Sequence, residues 1–281
     1  MKLTFEPNHC IARIIWRGKC ALILFATFMM GCDSQPLNPS FPTNPTAARA
    51  DLGRMESRPR GLKRPLVVVG GFADPGVASW WLKREFETLT GDRRIIAVPL
   101  GECASIDQCG QRIVEAVETA FPSGSSKQTC EVDVVGYSLG GVASRYAGAG
   151  WGRGKRLRIA RLFAISAPMR GARVAQEFPL FHPIQWDLRP GSLMLTSLNA
   201  SKPDYLIYSY VCLGDTVIGE ANAALPGRTP WWVPRASPAD AHSGAFFDPR
   251  IVADIARRLR DEPAFAQDPP AQLPGSGENR S

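Results

Sequence analysis

One ten-residue stretch constrains the fold of this chain more than any other. Residues 132–141 read Val-Asp-Val-Val-Gly-Tyr-Ser-Leu-Gly-Gly, so a mostly β-branched run leads directly into Gly-x-Ser-x-Gly. A serine on a tight turn between a strand and a helix exposes its hydroxyl at the sheet edge. The same turn crowds the positions two before and two after it, which suits Gly136 and Gly140. The pattern predicts Ser138 as a nucleophile whose helix start favours negative charge, although an ordinary strand-to-helix turn also fits the five residues.

Strands and helices alternate along the rest of the chain. Runs rich in β-branched residues, typical of strands buried on both faces of a sheet, occur at 66–69, 94–98, 159–165 and 205–213, with a short one at 229–234. Helical patterns fall at 79–90 and 105–121, after the serine turn, and from Asp248-Pro249 onward. This alternation predicts one mostly parallel, doubly wound α/β sheet with helices on both faces.

Two segments refine that prediction. The turn after the first strand, Gly70-Gly71-Phe72, lacks the Gly-x-Gly-x-x-Gly pattern that a dinucleotide-binding fold would need. Residues 169–203 contain scattered apolar residues without a strand pattern, and we expect them to form a small lid over the site.

The base that would activate the serine is sought among three histidines. His242 lies in the loop before the last amphipathic helix, which this fold puts at the same sheet edge as Ser138. His9 falls within a predicted export signal, and His182 falls in the predicted lid, where a surface or packing role suits it better. We therefore assign the base to His242.

The carboxylate that would orient the imidazole follows the penultimate strand. Asp215 comes directly after that strand, so its side chain is expected at the same edge as Ser138. Asp240 is a competitor but would have to fold back sharply, and Asp204 precedes the strand at its wrong end. The three residues follow one another in the chain order Ser138, Asp215, His242.

These motifs together carry a resemblance to a known family. The Gly-x-Ser-x-Gly turn, Gly-Asp-Thr-Val at 214–217 and His-Ser-Gly at 242–244 occur in the order and at the spacing of bacterial lipases and esterases. Residues 65–260 thus resemble the α/β-hydrolase superfamily. The resemblance implies cleavage of a small-molecule or lipid ester through an acyl-serine, with no metal or organic cofactor. An acyltransferase or peptidase with the same triad, and a non-catalytic scaffold, are the alternatives.

The resemblance also indicates an oxyanion hole. One donor is the N–H of Leu139 at the helix start. The other, by similarity to the His-Gly-aliphatic loop of bacterial lipases, is the N–H of Phe72, with Ala73 as the alternative. This chain departs from that loop because Gly70 stands where the lipases have histidine.

The first thirty-odd residues have the composition of an export signal. Arg17 and Lys19 precede an apolar run at 20–30, which is short for a membrane-spanning helix of ~20 residues. The run ends at Gly31-Cys32, which resembles the cleavage site of bacterial lipoproteins and implies lipidation of Cys32. An ordinary cleaved signal or an uncleaved anchor is the alternative. We expect an exported protein, lipid-anchored to a bacterial membrane and facing the periplasm or exterior.

Four segments follow from this division. We predict a lipoprotein-type signal at 1–31, a flexible tether at 32–63, the α/β-hydrolase domain at 64–261 and a disordered tail at 262–281. Both flanking segments are rich in Pro and Ser and lack an apolar period.

Charge and cysteine content exclude some functions. The net charge of +7 arises partly in the first residues, and no basic stripe interleaved with aromatics supports nucleic-acid binding. We expect a monomer. Cys103 and Cys109 enclose a short loop that suits a local disulfide in an oxidising compartment, and their spacing is unlike a zinc site. Cys130 and Cys212 lie at opposite ends of their strands and are not expected to pair.

Overall fold

A six-stranded parallel sheet organises the molecule. The computed structural model describes residues 37–152, 154–177, 182–235 and 240–275. The strand order is β2-β1-β3-β4-β5-β6, and every neighbouring pair is parallel. The strands are β1 (Leu66–Val69), β2 (Ile95–Val98), β3 (Gln128–Tyr137), β4 (Arg156–Ile165), β5 (Leu206–Cys212) and β6 (Trp231–Val233).

Helices follow most strands, and their ends obey local capping rules. The Ser105 side chain accepts a hydrogen bond from Gln108 N at the start of α3, and Asp248 caps α9 ahead of Pro249. Gly91 closes α2 in the left-handed conformation, at φ 66°. The helices are α1 (Pro45–Ser57), α2 (Val77–Thr90), α3 (Ile106–Ala120), α4 (Leu139–Ala149), α5 (Val174–Glu177), α6 (Pro183–Asp187), α7 (Leu193–Ala200), α8 (Ala241–Gly244) and α9 (Pro249–Leu259).

The two faces of the sheet carry separate cores. Alternate strand residues divide between them, so Val67 and Val69 of β1 pack with α3 and α4, whereas Leu66 and Val68 pack with α1, α2 and α9. Strands buried on both faces explain the continuous apolar runs in the sequence. The predicted fold class is confirmed in its architecture: a parallel, doubly wound α/β sheet with helices on both faces.

The predicted tether is wrong for residues 37–63. This part of the chain includes α1, which buries Ala48 and Met55 against the core that contains α9. Between them, Asp51 is also buried and accepts hydrogen bonds from the Arg257 guanidinium at 2.6 and 2.9 Å. Because a charged residue lies at the centre of the buried face of α1, the sequence shows no helical spacing of apolar residues there. The Pro- and Ser-rich composition then favoured the interpretation as a tether. Residues 32–36 lie outside the described residues.

The predicted disordered tail is also wrong for residues 262–275. The indole N–H of Trp231 donates to Gln267 O at 3.0 Å, and that of Trp232 donates to Ala271 O at 3.1 Å. Ala266 is buried, and its N–H donates to Asp254. Backbone groups make these hydrogen bonds, so the Pro-rich composition of the segment gave no sign of the packing. Residues 276–281 lie outside the described part of the chain.

No helix within the four described ranges is long and apolar enough to cross a bilayer. The predicted signal at 1–31 and its lipidation site at Cys32 lie outside those ranges.

The packing of α1 predicts a measurable contribution to stability. Met55→Ala removes a fully buried side chain from the core shared by α1, α2 and α9. We expect the free energy of unfolding in urea to fall by about 2–5 kcal/mol, as for other buried Met→Ala changes. Arg49→Ala, an exposed position of the same helix, is the control and should change it little. Equal unfolding midpoints for the Met55→Ala variant and the parent would contradict the packing of α1.

Candidate active site

Ser138 occupies a strained turn between β3 and α4. Its φ of 51° and ψ of −123° lie in a region that residues with a side chain rarely adopt. Its N–H donates to Ile165 O at 2.9 Å, and its carbonyl accepts from Gly141 N at 3.1 Å. Neighbouring strand and helix thus hold the backbone of Ser138 in a conformation that costs about 1–3 kcal/mol.

Glycines on both sides of the serine make this turn possible. A Cβ at Gly136 would lie 2.6 Å from Gly141 N, and a Cβ at Gly140 would lie 2.5 Å from Val69 O. Both obstacles are backbone atoms, which have no rotamer with which to move aside. The helix can begin this close to β1 and β3 only because these positions lack side chains.

The structure brings the three residues of the predicted triad into hydrogen-bond contact. His242 Nε2 lies 3.0 Å from Ser138 Oγ. His242 Nδ1 lies 3.0 Å from Asp215 Oδ2 and 3.2 Å from Asp215 Oδ1. Asp215 and His242 are only 2% and 7% exposed, whereas Ser138 is partly open to solvent. This geometry suits proton transfer from the serine hydroxyl to an oriented imidazole.

The loop after β5 fixes the carboxylate. Asp215 Oδ1 accepts hydrogen bonds from Val217 N and Ile218 N, both at 3.1 Å. Because Asp215 follows β5 directly, its side chain lies at the carboxyl edge of the sheet beside the end of β3. These backbone donors leave Oδ2 directed at the imidazole and hold the aspartate in one orientation.

The competing residues lie elsewhere. Asp240 Oδ2 accepts from Ser243 N at 2.9 Å and caps α8. Asp204 forms an exposed ion pair with Arg156 at 2.9 Å. His182 caps α6 through its Nδ1, and its ring contacts that of Phe72 with centroids 5.2 Å apart. In this structure none of these three side chains forms a hydrogen bond with Ser138 Oγ or with the ring of His242.

The loop after β1 lies against the serine turn. A Cβ at Gly71 would stand 3.2 Å from Ser138 Cβ, so this loop and the turn are in close contact. The N–H of Phe72 makes no hydrogen bond to another described residue. The N–H of Leu139 opens α4, where it lacks an intrahelical acceptor. Because β1 and β3 are neighbours although β2 lies between them in sequence, this cleft is the switch point where α/β sheets bind ligands.

Sequence reasoning missed Tyr137, which supports the histidine. The hydroxyl of Tyr137 donates to the carbonyl of His242 at 3.4 Å, and the two rings lie 5.4 Å apart. Burial raises the pKa of Tyr137, so its hydroxyl stays a proton donor. Its place next to Ser138 was the available signal, but a tyrosine that ends a strand is usually interpreted as core.

Arg145 was missed as well. It is the largest fully buried side chain, lies two turns beyond Ser138 on α4, and makes no ion pair with an acidic residue of the described ranges. Its guanidinium donates to Asn199 Oδ1 and Leu198 O, each at 2.8 Å. Burial lowers the pKa of Arg145. This side chain therefore joins α4, the helix that follows Ser138, to α7 of the segment expected to be a lid.

The segment 169–203 folds into α5, α6 and α7, with residues 178–181 outside the described ranges. Through His182 it contacts Phe72, which is 40% exposed in the loop after β1. The lid itself stays a prediction.

The predicted disulfide is not formed. Cys103 and Cys109 are both free, buried thiols; Cys212 is also free and buried, and Cys130 is free and half-buried. Burial and the neighbouring Cys103 raise the pKa of the Cys109 thiol. Both residues belong to the apolar core that contains α3, where neutral thiols pack as small hydrophobic groups. Within the described ranges no group of three or more His, Cys, Asp or Glu residues is arranged to hold a metal ion.

No protein-family model and no curated protein matches this chain. Among solved structures, phospholipase PlaB from Legionella pneumophila in complex with thio-NAD is 15% identical, with a TM-score of 0.48 over 69% of this chain. This chain spans 58% of that phospholipase. A metagenomic carboxyl esterase is 15% identical, with a TM-score of 0.46 over 72% of this chain and 78% of its own. An extracellular alpha/beta-hydrolase from a Paenibacillus species is 12% identical, with a TM-score of 0.44 over 69% of this chain and 98% of its own. At this distance, the chemistry of the chain has to be derived from its own site.

Proposed function

We propose that this protein is a serine hydrolase that cleaves carboxylic esters of small molecules or lipids through an acyl-serine intermediate. The observation that carries the proposal is the continuous hydrogen-bonded series from Ser138 Oγ through the imidazole of His242 to Asp215, with contacts of 3.0 Å on each side of the ring. These three residues are separated by 77 and 27 positions in the chain and meet at the carboxyl edge of the sheet.

The proposed reaction follows from these contacts. His242 Nε2 takes the proton of Ser138 Oγ as that oxygen attacks the ester carbonyl. The buried carboxylate of Asp215 stabilises the imidazolium and holds its Nδ1–H. The tetrahedral intermediate then collapses, and the imidazolium gives its proton to the departing alcohol. Water, deprotonated by His242 Nε2, then attacks the acyl-serine. The second tetrahedral intermediate collapses to the acid, and the imidazolium returns the proton to Ser138 Oγ.

The developing oxyanion needs donors on the opposite side of the carbonyl carbon. We assign this role to the N–H groups of Phe72 and Leu139. The close approach of Gly71 to Ser138 and the first turn of α4 support the assignment. Losing one such donor typically costs ~3 kcal/mol of transition-state stabilisation.

Removal of the serine hydroxyl is the first test. Ser138→Ala should abolish hydrolysis of p-nitrophenyl esters and covalent labelling by a fluorophosphonate, because no nucleophile remains at the turn. The midpoint temperature of thermal unfolding should not decrease, because the substitution removes only the hydroxyl oxygen from the strained turn.

The parent protein with and without an added acceptor alcohol serves as the reference. Ester formation with the alcohol in excess of hydrolysis would identify an acyltransferase instead. Labelling that persists in Ser138→Ala would refute the nucleophile assignment.

A matched pair of variants tests the carboxylate. Asp215→Asn should lower kcat by about 10⁴-fold, because the amide no longer holds the imidazole in the required tautomer. Asp240→Asn changes the other aspartate near His242, which caps α8 through Ser243, and should lower kcat much less. Initial rates at saturating ester distinguish them, and a larger loss in Asp240→Asn would reverse the assignment.

We also propose that the protein is exported and anchored through a lipid on Cys32. The support is the sequence alone: the charged start, the apolar run at 20–30 and Gly31-Cys32.

Expression in a bacterial host with radiolabelled palmitate tests the anchor. We expect label in the parent protein and none in Cys32→Ser, which should leave the membrane fraction. Cys20→Ser, within the apolar run, is the control and should still be labelled. Label retained in Cys32→Ser would place the modification elsewhere and overturn the anchor assignment.

A further inference from the structure

We propose that Asp74 is a positioning residue that holds the loop after β1, residues 70–76, in the conformation that directs the Phe72 N–H toward the substrate oxygen at Ser138. This inference rests on the proposed function, because it concerns the oxyanion donor of the same site. It assigns a role to a side chain that lies beyond the triad and does not touch the substrate.

The loop contains a turn that the local sequence does not favour. Asp74 N–H donates to Gly71 O at 3.4 Å, which closes a four-residue turn around Phe72 and Ala73. Ala73 has a φ of 54°, in the left-handed region where glycine is the usual residue at the third position of such a turn. A turn with this backbone strain persists only when contacts outside it fix it.

Those contacts converge on Asp74. Its Oδ1 accepts hydrogen bonds from Gly76 N at 2.9 Å and Ala78 N at 3.4 Å. Its carbonyl oxygen accepts from Gly101 N at 3.1 Å. The helix α2 has glycine at its N-cap, with no side chain to accept from the first turn, and Asp74 supplies that acceptor from two positions earlier. The aspartate therefore joins the strained turn to a helix and to the loop after β2.

The space around Asp74 explains the departure at Gly70. A Cβ at Gly70 would lie 2.5 Å from Asp74 Oδ2. A Cβ at Gly101 would lie 2.7 Å from Asp74 O. The carboxylate thus fills the room next to β1 that a side chain at position 70 would need. Where the lipases that this chain resembles have a histidine, this chain has Gly70, and the carboxylate of Asp74 occupies the adjacent space.

No cation of the described residues holds this carboxylate. Asp74 Oδ2 is buried and makes no hydrogen bond, and Asp74 forms no ion pair with a described residue. What the side chain does for its neighbours is therefore to accept backbone hydrogen bonds through Oδ1. An asparagine keeps that acceptor and removes the charge, whereas an alanine removes the acceptor, so the two substitutions separate positioning from charge.

The experiment compares Asp74→Ala with Asp74→Asn. Three quantities are measured: kcat and KM for a p-nitrophenyl ester, the inhibition constant of an alkyl boronic acid that forms a tetrahedral adduct with the serine, and hydrogen exchange at the amides of Gly76 and Ala78. We expect Asp74→Ala to lower kcat by about 10–100-fold and to raise the inhibition constant of the boronic acid in parallel. The Phe72 N–H would no longer point at the oxyanion, and this donor stabilises the negative charge of the transition state and of the tetrahedral adduct more than it stabilises bound substrate. KM should change less than threefold. Exchange at both amides should speed up.

Asp74→Asn should restore most of kcat and of the boronic acid affinity, and should protect both amides. Asn44→Ala removes a side-chain cap of comparable kind from the distant helix α1, where Asn44 accepts from Ala47 N at 2.8 Å. It should change neither kcat nor boronic acid affinity, so a general loss of stability is separated from a loss of positioning.

Several results would overturn the proposal. They are unchanged exchange at Gly76 and Ala78 in Asp74→Ala, a boronic acid constant that stays at the parent value, or an Asp74→Asn variant as impaired as Asp74→Ala. The exchange measurement needs no turnover. A parent protein that resists fluorophosphonate therefore contradicts the proposed function alone, while the amides still report on the anchoring by Asp74.

Discussion

The contact on which this site depends is the close approach of the α4 start to the ends of β1 and β3. Ser138 can point out of the sheet because backbone atoms on both sides come nearer than any side chain would allow. The strand hydrogen bond from Ser138 N to Ile165 O and the parallel pairing of Gly136 with Ala164 hold the turn from below. A serine fixed in this way needs no rearrangement before the proposed reaction, in which His242 Nε2, 3.0 Å away, takes its proton.

Other strands of the sheet also place site residues at the carboxyl edge where Ser138 lies. Parallel strands present their carboxyl ends together, so β1 supplies the loop with Phe72, β3 supplies Ser138, and β5 supplies Asp215. The histidine arrives from the connection between β6 and α9, held by Tyr137 below it. Cores on both faces make the strands rigid, and the histidine loop is packed by aromatic rings at Phe246 and Tyr137, 4.8 Å apart. The positions of Phe72, Ser138 and Asp215 at one edge thus follow from the order and direction of β1, β3 and β5 in the sheet.

How much of this could be foreseen depends on the kind of signal each residue leaves. Apolar runs and the glycine pattern identify the strands and Ser138, because steric crowding and burial act directly on residue type. The grouping of Ser138, Asp215 and His242 could be predicted because each follows a recognisable strand or precedes a recognisable helix. The α1 segment could not, since Asp51 interrupts its buried face and is compensated by Arg257, a residue 206 positions away. The stretch at 262–275 was missed because its hydrogen bonds to Trp231 and Trp232 are accepted by backbone carbonyl groups, which leave no pattern in the sequence. The spacing of Cys103 and Cys109 suggested a disulfide, whereas both residues are free thiols that pack in the apolar core.

Backbone strain is unevenly distributed in this molecule. In the described ranges, non-glycine residues with positive φ are Ala73, Ser138, Ser166 and Asp261, and the first three directly follow or lie near the carboxyl ends of β1, β3 and β4. A substitution that relaxes the backbone at such a position would stabilise the folded protein, but the loop or side chain there would lose its fixed orientation. Stabilising substitutions at the carboxyl edge of the sheet would therefore oppose the geometry of the site. Substitutions that raise heat resistance without this conflict would lie at the amino edge of the sheet and in the layer of α1 and α9.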